Sequence, residues 1–406
     1  MSEAMGVALA GMVSLAVAMG LGRFAFTPIL PMMLHDGVID LPGASWLASA
    51  NYLGYMLGAI ACTLQPWVWA RLRGLPLLPF ARLVRAGLFA TGVLTLAMAW
   101  HAPAAWPWLR FAAGLASAVV FVFTSGWCLA RLTRLGQPAL GGAIYAGPGA
   151  GIVISGLFAS ALVAWQWTAS TAWLIFGVLA FALTAGVWRV FRGSEDRLIR
   201  LDPARANAAP SPHGGGMALL NLAYGLAGFG YIITATFLPV IARGAIPASP
   251  WLDMFWPIFG LGVIVGALLA TRVPVGPDAR WLLATCYLVQ ALGIGCSLWS
   301  PTLAGFALGS LLLGIPFTAI SFFAMQEVRR LRPANAPSFM GLLTATYGLG
   351  QVLGPPMASA LLKRAGNATT GFTWSLEIAA GALVLGAGLF AAMTSLYPRR
   401  SSKAPL

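Results

Sequence analysis

The chain alternates long apolar runs with short polar breaks. A helix needs about 20 apolar residues to cross a hydrocarbon core of roughly 30 Å. Twelve runs reach that length, at 6–33, 43–65, 80–100, 105–131, 138–163, 168–190, 217–241, 251–271, 280–299, 302–326, 337–362 and 371–394. Most breaks are brief and basic, such as "RLRG" (71–74), "RLTR" (131–134) and "RRLR" (329–332). One is long: residues 191–216, "FRGSEDRLIRLDPARANAAPSPHGGG", carry mixed charge and then Pro and Gly. This stretch reads as a linker with one short amphipathic turn at 194–201. It divides the runs six and six, so a six-helix unit is expected over 1–190 and another over 217–406. The predicted fold class is an all-α membrane protein, twelve transmembrane helices in two pseudo-symmetric six-helix bundles.

Composition supports a life in lipid. Of 406 residues, 59% are hydrophobic and 8% are charged, against about 25% charged in soluble domains. The net charge of +14 would suit a nucleic-acid partner, but its placement points elsewhere. With the N-terminus inside, Arg71, Arg73, Arg131, Arg134, Arg329, Arg330, Arg332, Arg399 and Arg400 fall on one face, against Arg243, Lys363 and Arg364 on the other. Positive residues stay cytoplasmic during insertion, so both termini are expected in the cytoplasm. The basic surplus is then a topology signal, and no nucleic-acid partner is expected. Glu3 without a basic n-region, and a first run too long for an h-region, argue against a cleaved signal peptide.

Few chemistries remain. The four cysteines lie inside runs, and His35, His101 and His213 lack ligand spacing, so neither disulfides nor a metal site is expected. The sequence lacks a G-x-x-x-x-G-K-[ST] phosphate loop, and no cofactor is expected. An embedded enzyme would need clustered acids, His or Cys near one face. A channel would need a repeated polar or charged ring. Neither pattern is present.

An internal repeat is. "GLGRFAFTPILP" (20–31) aligns with "GFGYIITATFLP" (228–239) at an offset of 208, and "GYMLGA" (54–59) with "GVIVGA" (262–267) at the same offset. "GIVISGLFASALV" (151–163) lies over "GQVLGPPMASALL" (350–362), offset by 199. Parallel repeats related by an axis along the membrane normal place a site at their interface, near the midplane. That architecture implies alternating access.

The plan resembles the major facilitator superfamily over essentially the whole chain. "RFAAGLASA", with Arg110, Gly114 and Ala118, is similar to that superfamily's RxxxGxxxA element. "AIYAGPGAG" (143–151), containing Gly147 and Pro148, resembles its antiporter-associated Gly-Pro element, with Ala143 where Gly is usual. "GLGRFAFTPILPMM" followed by "ASWLASANYLGYMLGA" is similar to the YbfB/YjiJ branch. The resemblance implies a monomeric, multi-pass carrier of the bacterial inner membrane, moving a small-molecule substrate by secondary active transport. One departure is "GAIACTLQPWVWARLRG" (58–74), which lacks the Asp usual after the second span.

The residues that could carry chemistry are charges and amides in apolar company. Arg23 lies mid-run, where a full charge costs roughly 2.5–3.5 kcal/mol on insertion scales. Pro28 and Pro31 follow, and a bend beyond Arg23 is expected to expose carbonyls. Arg23 can bind an anion, join a gating ion pair, or bond carbonyls of a neighbouring helix. Its repeat mate is Tyr231, so a packing need common to both halves is disfavoured. Arg110 is the second in-run cation. None of the ten carboxylates lies within the first six runs, so a substrate anion, or an acid from the other half, must supply the negative charge. An organic anion or zwitterion is the favoured substrate; efflux of neutral or cationic drugs or sugars is the alternative.

Glu377, Asp253 and Glu327 are the candidates for proton coupling, Glu327 beside "VRRLR" reading rather as a surface ion pair. Asn51, Tyr52, Tyr55, Phe121 and Tyr145 from the first half, with Tyr231, Trp256, Phe317, Tyr347 and Gln351 from the second, complete the expected cavity. The small-residue runs read first as close-packing devices. Gly147-Pro148 and Gly354-Pro355, with Pro28 and Pro31, are the expected flex points.

Overall fold

The computed structural model describes residues 2–71, 79–191, 214–273, 278–332 and 336–398. The predicted amphipathic turn at 194–201, most of the linker, and Arg73, His213, Arg399 and Arg400 lie outside the described residues. Regular structure among the described residues is helical throughout. Eleven helices are long and apolar enough to cross a membrane: α1 (Glu3–His35), α2 (from Leu41, apolar to Gln65), α3 (Phe80–Ala97), α4 (Trp106–Arg134), α5 (Pro138–Ala164), α6 (Ala169–Val187), α7 (from Gly215 to Ala245), α8 (Pro250–Ala270), α9 (Ala279–Trp299), α10 (Leu303–Leu331) and α12 (Ala368–Leu396). Between α10 and α12 lies a further 30-residue helix, α11 (Ala336–Ala365).

Local chemistry sets several boundaries. Thr168, Asp278, Thr302 and Asn367 each accept a backbone N–H of the first helical turn, starting α6, α9, α10 and α12. Gly366, at φ +72° just past Ala365, closes α11 in the left-handed conformation that glycine adopts without strain.

Glycines set how closely the helices cross. A Cβ on Gly54 of α2 would strike the Phe111 carbonyl of α4, and one on Gly114 would strike the Asn51 carbonyl. The same crossing recurs between α8 and α10, where Gly262 meets the Leu311 carbonyl and Gly314 the Phe259 carbonyl. The repeat seen in the sequence is therefore also a repeat of packing. Contacts between the first six and last six helices run through α2 with α11, α5 with α8, and the second half of α1 with α7.

Helix α1 is irregular where it matters. Residues Glu3–Leu15 are α-helical, Ala16–Phe24 form a π-helix, and Phe26–His35 return to the α form. The irregularity thus begins before Arg23, not beyond it as the prolines alone predict. The prolines still explain where it ends. Pro28, in the first turn of the resumed α segment, has no N–H to return to the carbonyls of the π segment.

Candidate functional site

Arg23, next to last in the π segment, is buried, 2% exposed. Its Nη2 donates to Oε1 of Gln351 on α11 at 2.6 Å. Gln351 in turn donates through Nε2 to the Tyr231 hydroxyl on α7. The guanidinium lies over the Tyr55 ring, 3.9 Å from its centroid, with Tyr52 at 5.3 Å and Phe24 at 5.2 Å. Among the described residues no carboxylate pairs with it, and its Nε has no hydrogen-bond partner. A neutral amide oxygen solvates this cation but leaves its charge in place.

Aromatic rings continue from the cation into the other half. Tyr231 stacks on Tyr347 (5.7 Å) and meets the edge of Phe317 (5.0 Å). Phe317 also meets Phe24 (6.0 Å), and Trp256, stacked on Phe259, lies 6.2 Å from Phe24. Hydroxyls tie the seam beside the rings. Thr27 donates to the Ala235 carbonyl at 2.7 Å, and Tyr52 and Thr236 share a 2.8 Å hydrogen bond. Ser49 donates to the Val352 carbonyl at 3.1 Å. These are links from α1 and α2 to α7 and α11.

Arg110 occupies a different position from the one expected for a substrate ligand. Its Nη1 donates to the Gly22 carbonyl (3.1 Å) and its Nη2 to the Arg23 carbonyl (2.9 Å). In a π-helix the carbonyl of residue i accepts from residue i+5, and for Arg23 that residue is Pro28, which has no N–H. Arg110 supplies the missing donor. The Ser117 hydroxyl lies 2.7 Å from the Ala18 carbonyl in the same segment. Asn51 donates to the Arg110 carbonyl at 2.8 Å within the tight α2–α4 crossing. Arg110 and Asn51 thus build the wall that holds Arg23: the hydrogen bonds they donate go to backbone carbonyls, and Arg110 Nε is left without a partner.

The three carboxylates expected to carry protons stand apart from Arg23, each for a physical reason. Glu377 is on the outward side of α12 between exposed Trp374 and Ile378, because α12 packs through Phe372, Ser375, Leu376 and Ala379. Asp253 pairs with Arg243 where α7 meets α8. Glu327 is not at the surface: it is fully buried, paired with Arg330 and 3.9 Å from Arg280. Arg280 is itself held by Asp278 and by the carbonyls of Met393 and Tyr397.

The remaining candidates split in the same way. Tyr145 and Phe121 form their own pair, with ring centroids 6.1 Å apart. Gly147 and Pro148 begin the α-helical part of α5 after a 3-10 segment over Pro138–Ala146. A Cβ on Gly147 would strike the Met12 carbonyl of α1. Gly354 packs against Ile232 of α7, next to Pro355 inside α11. Sequence reasoning missed Thr27, Ser117 and Thr236, since a hydroxyl in an apolar helix usually bonds its own turn and signals nothing.

The sequence matches the family described as uncharacterised MFS-type transporter YbfB over residues 15–391. Comparison with curated proteins gives no match. Among solved structures, that of the nucleoside transporter NupG is similar at a TM-score of 0.69 and 17% identity, covering 98% of this chain and 100% of that one. The structure of a NupG mutant gives the same TM-score and identity, covering 95% and 99%. At this identity the likeness is one of fold. Since the family match spans nearly the whole chain, the protein belongs to the YbfB family of MFS-type transporters, and it is a multi-pass membrane transporter rather than an enzyme.

Proposed function

We propose that the protein is a secondary active transporter of small organic anions, working by alternating access across the bacterial inner membrane. In this reading residues 1–190 and 217–406 are two six-helix halves that rock about the seam, and both termini are cytoplasmic. The observation that carries it is the Arg23 guanidinium, buried between helices of both halves and bonded to Gln351 without a countercharge among the described residues. An uncompensated cation in a site of low dielectric attracts an anion strongly.

With cytoplasmic termini, the Thr27–Ala235 and Tyr52–Thr236 links lie toward the periplasmic side of Arg23. They hold α1 and α2 against α7 and must part when the outward path opens. Gly147-Pro148 and Gly354-Pro355 are the points at which α5 and α11 bend. Because none of the candidate proton carriers touches Arg23, the driving force enters here as exchange of one anion for another. The Gly-Pro element points to export of the substrate.

Countertransport by purified protein in liposomes tests this reading. A preloaded organic anion should accelerate entry of the labelled one, and Arg23→Gln should abolish that exchange. Unchanged anion exchange in Arg23→Gln overturns the reading.

A further inference from the structure

The atoms of Arg23 that are used, and the one that is not, narrow the substrate class. This inference rests on the anion reading above and deepens it. The Nε and Nη2 of a guanidinium form one edge, a fork that two carboxylate oxygens fill side by side. In Arg23, Nη2 is taken by the Gln351 amide oxygen and Nε is buried with no partner. One neutral oxygen therefore stands on an edge built for two. An amide offers a single acceptor oxygen, so Gln351 cannot complete the fork.

The second cation is not available to a ligand. Arg110 directs Nη1 and Nη2 to backbone carbonyls and lies against Phe26 and Trp173. Two arginines in the sequence would suit a dianion, but Arg110, whose Nε also lacks a partner, has both Nη groups fixed to the backbone of α1, so Arg23 alone has an edge that a side-chain rotation can free. The surroundings of that edge are flat and apolar. Tyr55, Tyr52 and Phe24 surround the guanidinium, and Tyr231, Phe317 and Tyr347 continue from it across the seam. The Tyr52 hydroxyl is already bonded to Thr236. Rings so placed favour offset stacking or edge contacts with another ring.

We propose that the substrate is a monocarboxylate with a flat, largely apolar body, and that its carboxylate takes the Nε–Nη2 edge of Arg23 in place of the Gln351 oxygen. Gln351 holds the edge while the site is empty. On exchange it keeps its bond to Tyr231 and lets go of α1, so substrate binding removes one tie between the halves.

The test is binding to the purified full-length protein in detergent, read by isothermal titration with benzoate as the probe. Acetate, phthalate and benzamide serve as comparisons that remove the ring, add a second charge, or remove the charge. Benzoate should bind at least tenfold more tightly than each of them. Arg23→Lys keeps the charge but loses the fork, and should weaken benzoate at least tenfold. Gln351→Glu supplies the second oxygen and a permanent countercharge, so it should abolish benzoate binding while thermal unfolding stays at or above the parent. Gln351→Ala should bind benzoate as well as the parent or better.

Acetate or phthalate binding as tightly as benzoate, and still lost in Arg23→Lys, overturns the substrate class and leaves the anion reading standing. Benzamide binding as tightly as benzoate, unaffected at Arg23, overturns both. Gln351→Glu that binds benzoate like the parent overturns the placement on the guanidinium edge.

Discussion

Replacing Arg110 with methionine should loosen the π segment of α1 and, through it, the seat of Arg23. The substitution keeps a long apolar stem but removes the donors to the Gly22 and Arg23 carbonyls. Hydrogen bonds to charged groups contribute about 1.5–3 kcal/mol each, so losing two costs about 3–6 kcal/mol. Contacts of the guanidinium with Phe26 (5.0 Å) and Trp173 (5.9 Å) add roughly 0.5–1 kcal/mol each. Against this, a buried cation with an unpartnered Nε disappears, and its desolvation penalty is recovered.

That recovery is of order several kcal/mol before relaxation, so the net should fall near 2–4 kcal/mol of destabilisation. Arg110→Lys, which can satisfy one carbonyl as a point donor, should lose about half as much. Equilibrium unfolding in mixed micelles measures the difference, and benzoate titration of the same samples reports on Arg23. Arg110→Met should weaken both. If it unfolds within about 0.5 kcal/mol of the parent, the two carbonyls have other donors and Arg110 does not fix the register of α1.

Three further variants test the packing and the second charge cluster. Gly114→Val drives its side chain into the Asn51 carbonyl and should abolish folded protein in membranes, whereas Gly388→Ala, whose Cβ meets no atom within 4 Å, should stabilise α12 by up to about 1 kcal/mol in the same unfolding assay. Glu327→Gln leaves Arg330 without its countercharge and Arg280 with Asp278 as its counterion, and should destabilise by about 3 kcal/mol, the low end for a broken buried pair, without changing benzoate affinity.

Much of the site was legible because polar residues are conspicuous in an apolar chain. Arg23, Tyr231 and Gln351 stand out in their runs, and the repeat already sets Arg23 and Tyr231 at equivalent positions. The spans were legible for the same reason: lipid demands a hydrophobicity that loops cannot imitate. The π segment was not. Its register depends on donors from Arg110 and Ser117, about 90 residues away in sequence, and periodicity within α1 carries no trace of them. Facing was also illegible where charge alone had to decide it. Glu327 looked solvated because arginines follow it, yet one of them, Arg330, together with Arg280 of α9, is what allows its burial. Glu377 has no neighbouring charge to betray a side, and only the packing of α12 turns it outward.

The broken symmetry of the repeat explains why the site has one charge. Arg23 on α1 and Tyr231 on α7 are mates at an offset of 208, and Gln351 on α11 is the mate of Ile152 on α5 at an offset of 199. A faithful duplication would set a second arginine where Tyr231 now stands, and two buried guanidinium groups would then share one seam. Like charges that close repel strongly in low dielectric, and no carboxylate of the first six runs could relieve them. Tyr231 places no second charge there, and Gln351, where its mate is Ile152, gives Arg23 a neutral acceptor from the opposite half. An acidic residue at 351 would neutralise Arg23 permanently, and the proposed anion would have nothing to bind. On the proposed exchange, the amide holds the cation while the site is empty and yields its place to the carboxylate, so one group serves two partners in turn.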